Sequence, residues 1–192
     1  MTAVWWWVRH GPTHEKAFVG HRDVPADLSD TAFLKRLAAF LPDMALVVSS
    51  DLIRSVTTAD AIAAGRPRLP HARALREFDF GVWDGLTFEQ VAARDPDLSR
   101  AYWEAPGDIA PPGGESWNAA AARIAPFVDA LNTAHPGRHI IAVAHFGVIL
   151  TQIARATGQT PVQALAQKID TLSVTRVTYG TGSRAGPINR LP

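Results

Sequence analysis

Two apolar runs of strand length set the first limit on this fold: VWWWV at residues 4–8 and IIAVA at residues 140–144. Neither alternates apolar with polar residues, so neither reads as a strand with one face in water. Continuous runs of this kind suit strands covered on both faces, as in a parallel sheet flanked by helices. ALVV at 45–48 has the same character, whereas LSVTRVTY at 172–179 is β-branched but partly polar and fits at or near a sheet edge. Side-chain alternation sends Trp6 to the face opposite Trp5 and Trp7, which suits a central strand between two helical layers. The rival reading leaves one ring exposed at an interface.

Between these runs lie helices with recognisable starts. Ser29 is placed to cap a helix carrying Phe33, Leu34, Leu37 and Leu41, ended by Pro42, and Ser50 or Asp51 to cap one carrying Leu52, Val56 and Ala59. Thr87 with Gln90, and Thr160-Pro161 with Gln163, fit reciprocal capping boxes. From Ser116 a helix carries Trp117, Ala121, Ile124, Val128 and Leu131, with Pro126 expected to kink or restart it. APGDIAPPGGES, at 105–116, reads as a surface loop. Strands alternating with helices predict an α/β domain with a mostly parallel sheet. With 47% hydrophobic and 19% charged residues in 192, one domain over 1–192 is expected, with 183–192 as a loosely held tail.

Composition also narrows the partners. A net charge of +1 gives no reason to expect nucleic acid or an anionic membrane, and the absence of cysteine removes disulfides and thiolate chemistry. Arg9 and His10 interrupt the first apolar stretch far short of the ~20 residues that span a bilayer, so a cytoplasmic location is expected. The oligomeric state is open, a homodimer included.

The polar ends of the strands carry the chemistry. In open α/β sheets ligands bind beyond the carboxyl ends of strands, near helix N-termini. The first run ends at Arg9-His10-Gly11, the second at Ser49-Ser50-Asp51 with Arg54 one turn on, and a later one at His145-Phe146-Gly147. Guanidinium groups match phosphoryl oxygens, and a neutral imidazole attacks phosphorus. Two arginines and two histidines converging on one sheet edge therefore suggest an anion site holding a nucleophile. Transfer through histidine also needs a proton donor, and LREFDFGVWDG offers Glu77, Asp79 and Asp84.

Arg9-His10-Gly11, SSDLIRSVTTA around Arg54, LREFDFGVWDG around Glu77, PPGGESW at 111–117 and VAHFGVIL around His145 together resemble the histidine phosphatase superfamily, in its phosphoglycerate-mutase-like branch. The resemblance implies a three-layer α/β/α fold and a phosphohistidine mechanism. His10 would be the nucleophile, Arg9, Arg54 and His145 would cradle the phosphoryl oxygens, and Glu77 would be acid and then base, with Asp79 the second choice. Gly11 would allow close backbone approach and Thr13 a hydroxyl contact. No metal or other cofactor is implied, because the arginines and a protonated imidazole would supply the positive field.

Lys16, where the family often has asparagine, would reach a second anionic group, and Phe146, where a small residue is common, would narrow the pocket. Ser116 would either meet substrate or cap its helix. Hydrolysis of a small phosphomonoester is the leading expectation. A phosphoglycerate-type mutase and a non-catalytic phospholigand-binding protein are the alternatives. VPADLSD at 24–30 resembles the α-ribazole phosphatases.

Overall fold

The structure, a computed structural model, describes residues 3–192. Its five strands are β1 (Val4–Arg9), β2 (Ala45–Ser49), β3 (His139–Ala144), β4 (Val174–Thr178) and β5 (Arg184–Ala185), in the order β2-β3-β1-β4-β5. The first three are mutually parallel, and β4 and β5 are antiparallel additions beyond β1. That places the tryptophan strand in the centre and the partly polar 172–179 run next to an edge, both as expected.

Trp5 and Trp7 stack at 4.9 Å between ring centroids, fully buried on the face covered by α5 (Trp117–Ala134) and α6 (Phe146–Thr157). The opposite face packs Val8, Val47, Ile141 and Val143 against α1 (Thr31–Phe40) and α2 (Ile53–Ile62) through Leu34, Leu37, Ala59 and Ile62. Trp6 points to this second face and is half-buried; its indole N–H donates to His139 Nδ1 at 3.0 Å. With helices on both faces, neither side of these strands faces bulk water along its length, which is why they lack alternation. A smaller cluster of Trp83, Val91 and Tyr102 joins α3 (Phe88–Arg94) and α4 (Pro96–Glu104) to the rest. The short α7 (Pro161–Leu165) packs against α6.

Both capping boxes form, at Thr87/Gln90 and Thr160/Gln163. Three local expectations are revised. Asp30, not Ser29, caps α1 by accepting from the Phe33 amide, because its carboxylate is one residue nearer the first turn. Neither Ser50 nor Asp51 caps α2, whose N-cap position is Leu52; Asp51 is instead held by both Nε and Nη2 of Arg76. Pro126 leaves α5 unbroken, since it and Ala122 lie on the exposed face, where the carbonyl left without a donor is open to water. The carboxyl-terminal segment is also tied down: Val174 and Arg190 exchange backbone hydrogen bonds of 2.8 and 2.9 Å, and Arg176 donates to the Pro187 carbonyl at 3.0 Å.

Truncating Trp7 to alanine should cost about 3–5 kcal/mol of unfolding free energy, the range for emptying a large buried aromatic site. Trp6→Ala should cost clearly less, because that ring is already part-solvated. Urea unfolding of the two variants checks the order, and equal losses would contradict the placement of the rings.

Candidate active site

Register builds the site. Parallel pairing sets Arg9 opposite Ala144 and Ser49 opposite Val143, so the strand ends carrying His10, Ser50 and His145 lie side by side. The imidazoles of His10 and His145 are 5.0 Å apart between centroids. Both histidines are buried.

His10 Nδ1 lies 2.7 Å from the Gly11 carbonyl, which only accepts, so Nδ1 carries the proton and Nε2 holds the free lone pair of the neutral ring. Burial, reinforced by the charge of Arg54, brings its pKa down to about 3. His145 is fixed in the same way from the other side. Arg54 Nε donates to its Nδ1 at 3.2 Å, leaving the proton on Nε2, which faces Ser50 Oγ at 2.9 Å and Ser55 Oγ at 3.2 Å. Burial and then Arg54 push its pKa well below the usual histidine value. Burial thus favours the neutral form of both imidazoles, and the positive charge of the site resides on Arg9 and Arg54.

Arg54 has no exposed surface. Besides His145 it donates to the carbonyls of Val19, Gly20 and Arg22, so it locks the 19–22 loop across the site and keeps one N–H uncommitted. Arg9 donates to the Ile169 carbonyl at 2.7 Å and lies 5.6 Å from the centroid of the Phe146 ring. Its Nε is buried without a partner.

Glu77 is buried and sits on the start of α6, where its carboxyl accepts from the Gly147 amide at 3.1 Å and from the Phe78 amide at 3.0 Å. Burial raises its pKa against the opposing pull of those amides and of Arg54 and Arg9. Asp79 is placed differently. It accepts from the Gly81 amide at 2.9 Å and pairs with His21 at 3.4 Å, about a third exposed. Asp84 is bound to Arg22 at 3.0 Å.

The remaining candidates scatter. Gly11 donates its amide to Thr58 Oγ1, and a Cβ there would lie 2.6 Å from Leu28, so its missing side chain admits the 26–28 segment. Thr13 and Lys16 make no side-chain hydrogen bond among the described residues; Lys16 is exposed in an outer groove with Phe18, Phe88 and Trp103. Ser116 caps α5 through the Ala119 amide. In VPADLSD, Asp27 binds His14 and the Ser29 amide while Asp30 caps α1, so these carboxylates serve local structure. Among the described residues no group of three or more His, Cys, Asp or Glu is placed to hold a metal ion, and no helix is long and apolar enough to cross a membrane.

Sequence reasoning missed the frame around Glu77. Arg123 of α5 donates to the carbonyls of Ala74, Arg76 and Glu77 and is held by both Glu115 oxygens at 2.7 Å, while Glu115 also accepts from the Asp79 amide. His21 adds a donor to the Glu77 carbonyl at 3.0 Å. Gly147 was missed as well, although a Cβ there would lie 2.7 Å from Glu77 Oε1 and 2.9 Å from the Phe78 ring. The only local signal was a glycine in the first turn of a helix.

These titrations have a sign. Neutral when folded, His10 and His145 take up protons on unfolding between their folded values and the ordinary 6.5, so stability is lost as pH falls from about 6.5 towards about 3. Glu77 acts oppositely, since its raised value favours the folded state below that value and the benefit is lost as pH rises through it. Urea unfolding at pH 7, 5.5 and 4.5 should show the acid decline, made shallower by His10→Gln. An unchanged slope in that variant would contradict a neutral buried His10.

Residues 5–186 match the histidine phosphatase superfamily (branch 1). Over 167 residues the chain is 35% identical to a glucosyl-3-phosphoglycerate phosphatase of Mycolicibacterium vanbaalenii, covering 79% of this chain and 72% of the relative. A bifunctional protein of Mycobacterium tuberculosis is 35% identical over 136 residues, which are 68% of this chain and 36% of the relative, so the chain spans about a third of that protein. The solved mycobacterial glucosyl-3-phosphoglycerate phosphatase superposes with a TM-score of 0.83 at 28% identity, covering 98% of this chain and 99% of that one. Given the paired strand-end histidines, the buried Arg54 bonded to His145 and these matches, the chain belongs to the histidine phosphatase superfamily, branch 1.

Proposed function

We propose that this protein is a phosphomonoester hydrolase that works through a phosphohistidine on a small phosphorylated substrate and needs no metal. The observation that carries the reading is the His10 tautomer: a neutral ring, its Nδ1 proton held by the Gly11 carbonyl, with the Nε2 lone pair free beside two arginines. Nε2 attacks phosphorus and the bond from phosphorus to the ester oxygen breaks. Glu77, whose pKa burial raises, gives its proton to that departing oxygen. The Gly11 carbonyl then faces the Nδ1 proton of a ring made more positive by phosphorylation. In the second half Glu77 takes a proton from water, the hydroxide oxygen bonds to phosphorus, the N–P bond breaks and neutral His10 returns. Arg9 and the free N–H of Arg54 balance charge on the phosphoryl oxygens throughout. A purely phospholigand-binding role needs the arginines but not a neutral imidazole with a free Nε2.

His10→Ala should remove at least ~10⁴-fold of phosphatase activity, and wild type should keep its rate in EDTA and yield an acid-labile phosphoenzyme when trapped. Full turnover by the variant would reject the mechanism. Glu77→Gln should slow a substrate with a poor leaving group by about 10²–10⁴-fold and one with a good leaving group far less, whereas Asp79→Asn should show no such split. Gly147→Ala, which forces Glu77 off the α6 amide, should show the Glu77 pattern in milder form. If all substrates slow equally in Gly147→Ala, that contact does not position the acid.

A further inference from the structure

Beside Glu77 the molecule opens a narrow, apolar-walled cleft. Its walls are Phe80, Tyr102, Trp103, Trp117, Phe146 and Leu165, with Glu77 at one end. His10 and Arg9 are not part of it. The cleft thus adjoins the proposed proton donor and not the nucleophile. That is where the alcohol portion of a phosphomonoester must go, because the oxygen linking it to phosphorus has to reach Glu77. From this geometry, and resting on the hydrolase reading above, we infer that the substrate carries an uncharged, flat, largely apolar group on the alcohol side of its ester.

Three features support this class. Among the described residues no arginine, lysine or histidine lines the cleft, so a substrate carboxylate or second phosphate there would have no direct ion-pair partner and would be set beside Glu77. Lys16, the residue expected to meet a second anionic group, sits in a separate groove with Phe18, Phe88 and Trp103. Third, the walls are aromatic and fixed against one another: Tyr102 and Trp103 meet edge to face at 4.9 Å, and Phe18 stacks behind Trp103 at 5.9 Å. Rigid rings of this kind form a slot for a planar group with little ordering cost.

Leaving-group reactivity must be matched, so the test compares 2-naphthylmethyl phosphate with glycerol 3-phosphate and 3-phosphoglycerate, all esters of poorly acidic alcohols. Wild type should show kcat/KM about 30-fold or more higher for the naphthylmethyl ester, as expected from moving such a ring system out of water, and 3-phosphoglycerate should be the poorest of the three. Trp103→Ala should collapse the ratio of naphthylmethyl to glycerol ester towards one. Because both substrates report on the same enzyme, the ratio is insensitive to a misfolded fraction. As a check that needs no variant, 2-naphthylmethylphosphonate should inhibit wild type more tightly than a glycerol phosphonate by a similar factor. Preference for 3-phosphoglycerate, or an unchanged ratio in Trp103→Ala, would overturn the inference while leaving the hydrolase reading intact. Failure to hydrolyse any of the three would take both down.

Discussion

The parallel pairing of β1 with β3 is the constraint on which the site depends. Because Arg9 faces Ala144 in that register, the next residue of each strand is a histidine, and the two imidazoles arrive together without any loop having to fold precisely. A slip of one residue would turn every side chain of β1 to the other face and separate the pair. The stacked Trp5 and Trp7 resist such a slip, since they fill the core on one side while Val8 fills it on the other. The aromatic block at residues 5–7 is the mount for the strand end.

Burial then divides the proton work. It drives both histidines neutral and Glu77 towards its protonated form, because in a poorly solvated pocket each group avoids its charged state. Arg9 and Arg54 stay cationic and supply the field that makes the pocket attractive to a dianion. Arg54 does this while serving mainly as architecture, spending most of its donors on the 19–22 loop and on His145. The same guanidinium therefore orients one histidine, ties down the 19–22 loop and adds to the lowering that burial imposes on both rings.

Legibility differed between strands and loops for a physical reason. The strand-end residues were readable because apolar runs announce where β1, β2 and β3 stop, and Arg9, His10, Arg54 and His145 follow at fixed offsets. Glu77 lies in an irregular segment whose place is set by contacts distant in sequence: Arg123 and Glu115 from the α5 region, His21 from the loop after β1, and the Gly147 amide. Glu77 and Asp79 are two residues apart and chemically alike, and only those contacts bury one and leave the other at the surface beside His21. The helix starts show the same limit on a small scale, where Asp30 displaced Ser29 by a single residue.

By itself the sequence determined the layered α/β class, the central buried strand and the four strand-end groups, because hydrophobic periodicity and element length are local properties of the chain. Tertiary structure decided which carboxylate is buried beside the paired histidines, that burial holds His145 neutral, that Ser116 and the VPADLSD carboxylates are spent on local structure, and that Lys16 lies in a groove of its own with Phe18 and Phe88. Those outcomes turn on burial and on hydrogen-bond partners tens of residues away, and no local pattern encodes the degree of solvation that sets a pKa or the walls that close around a ligand.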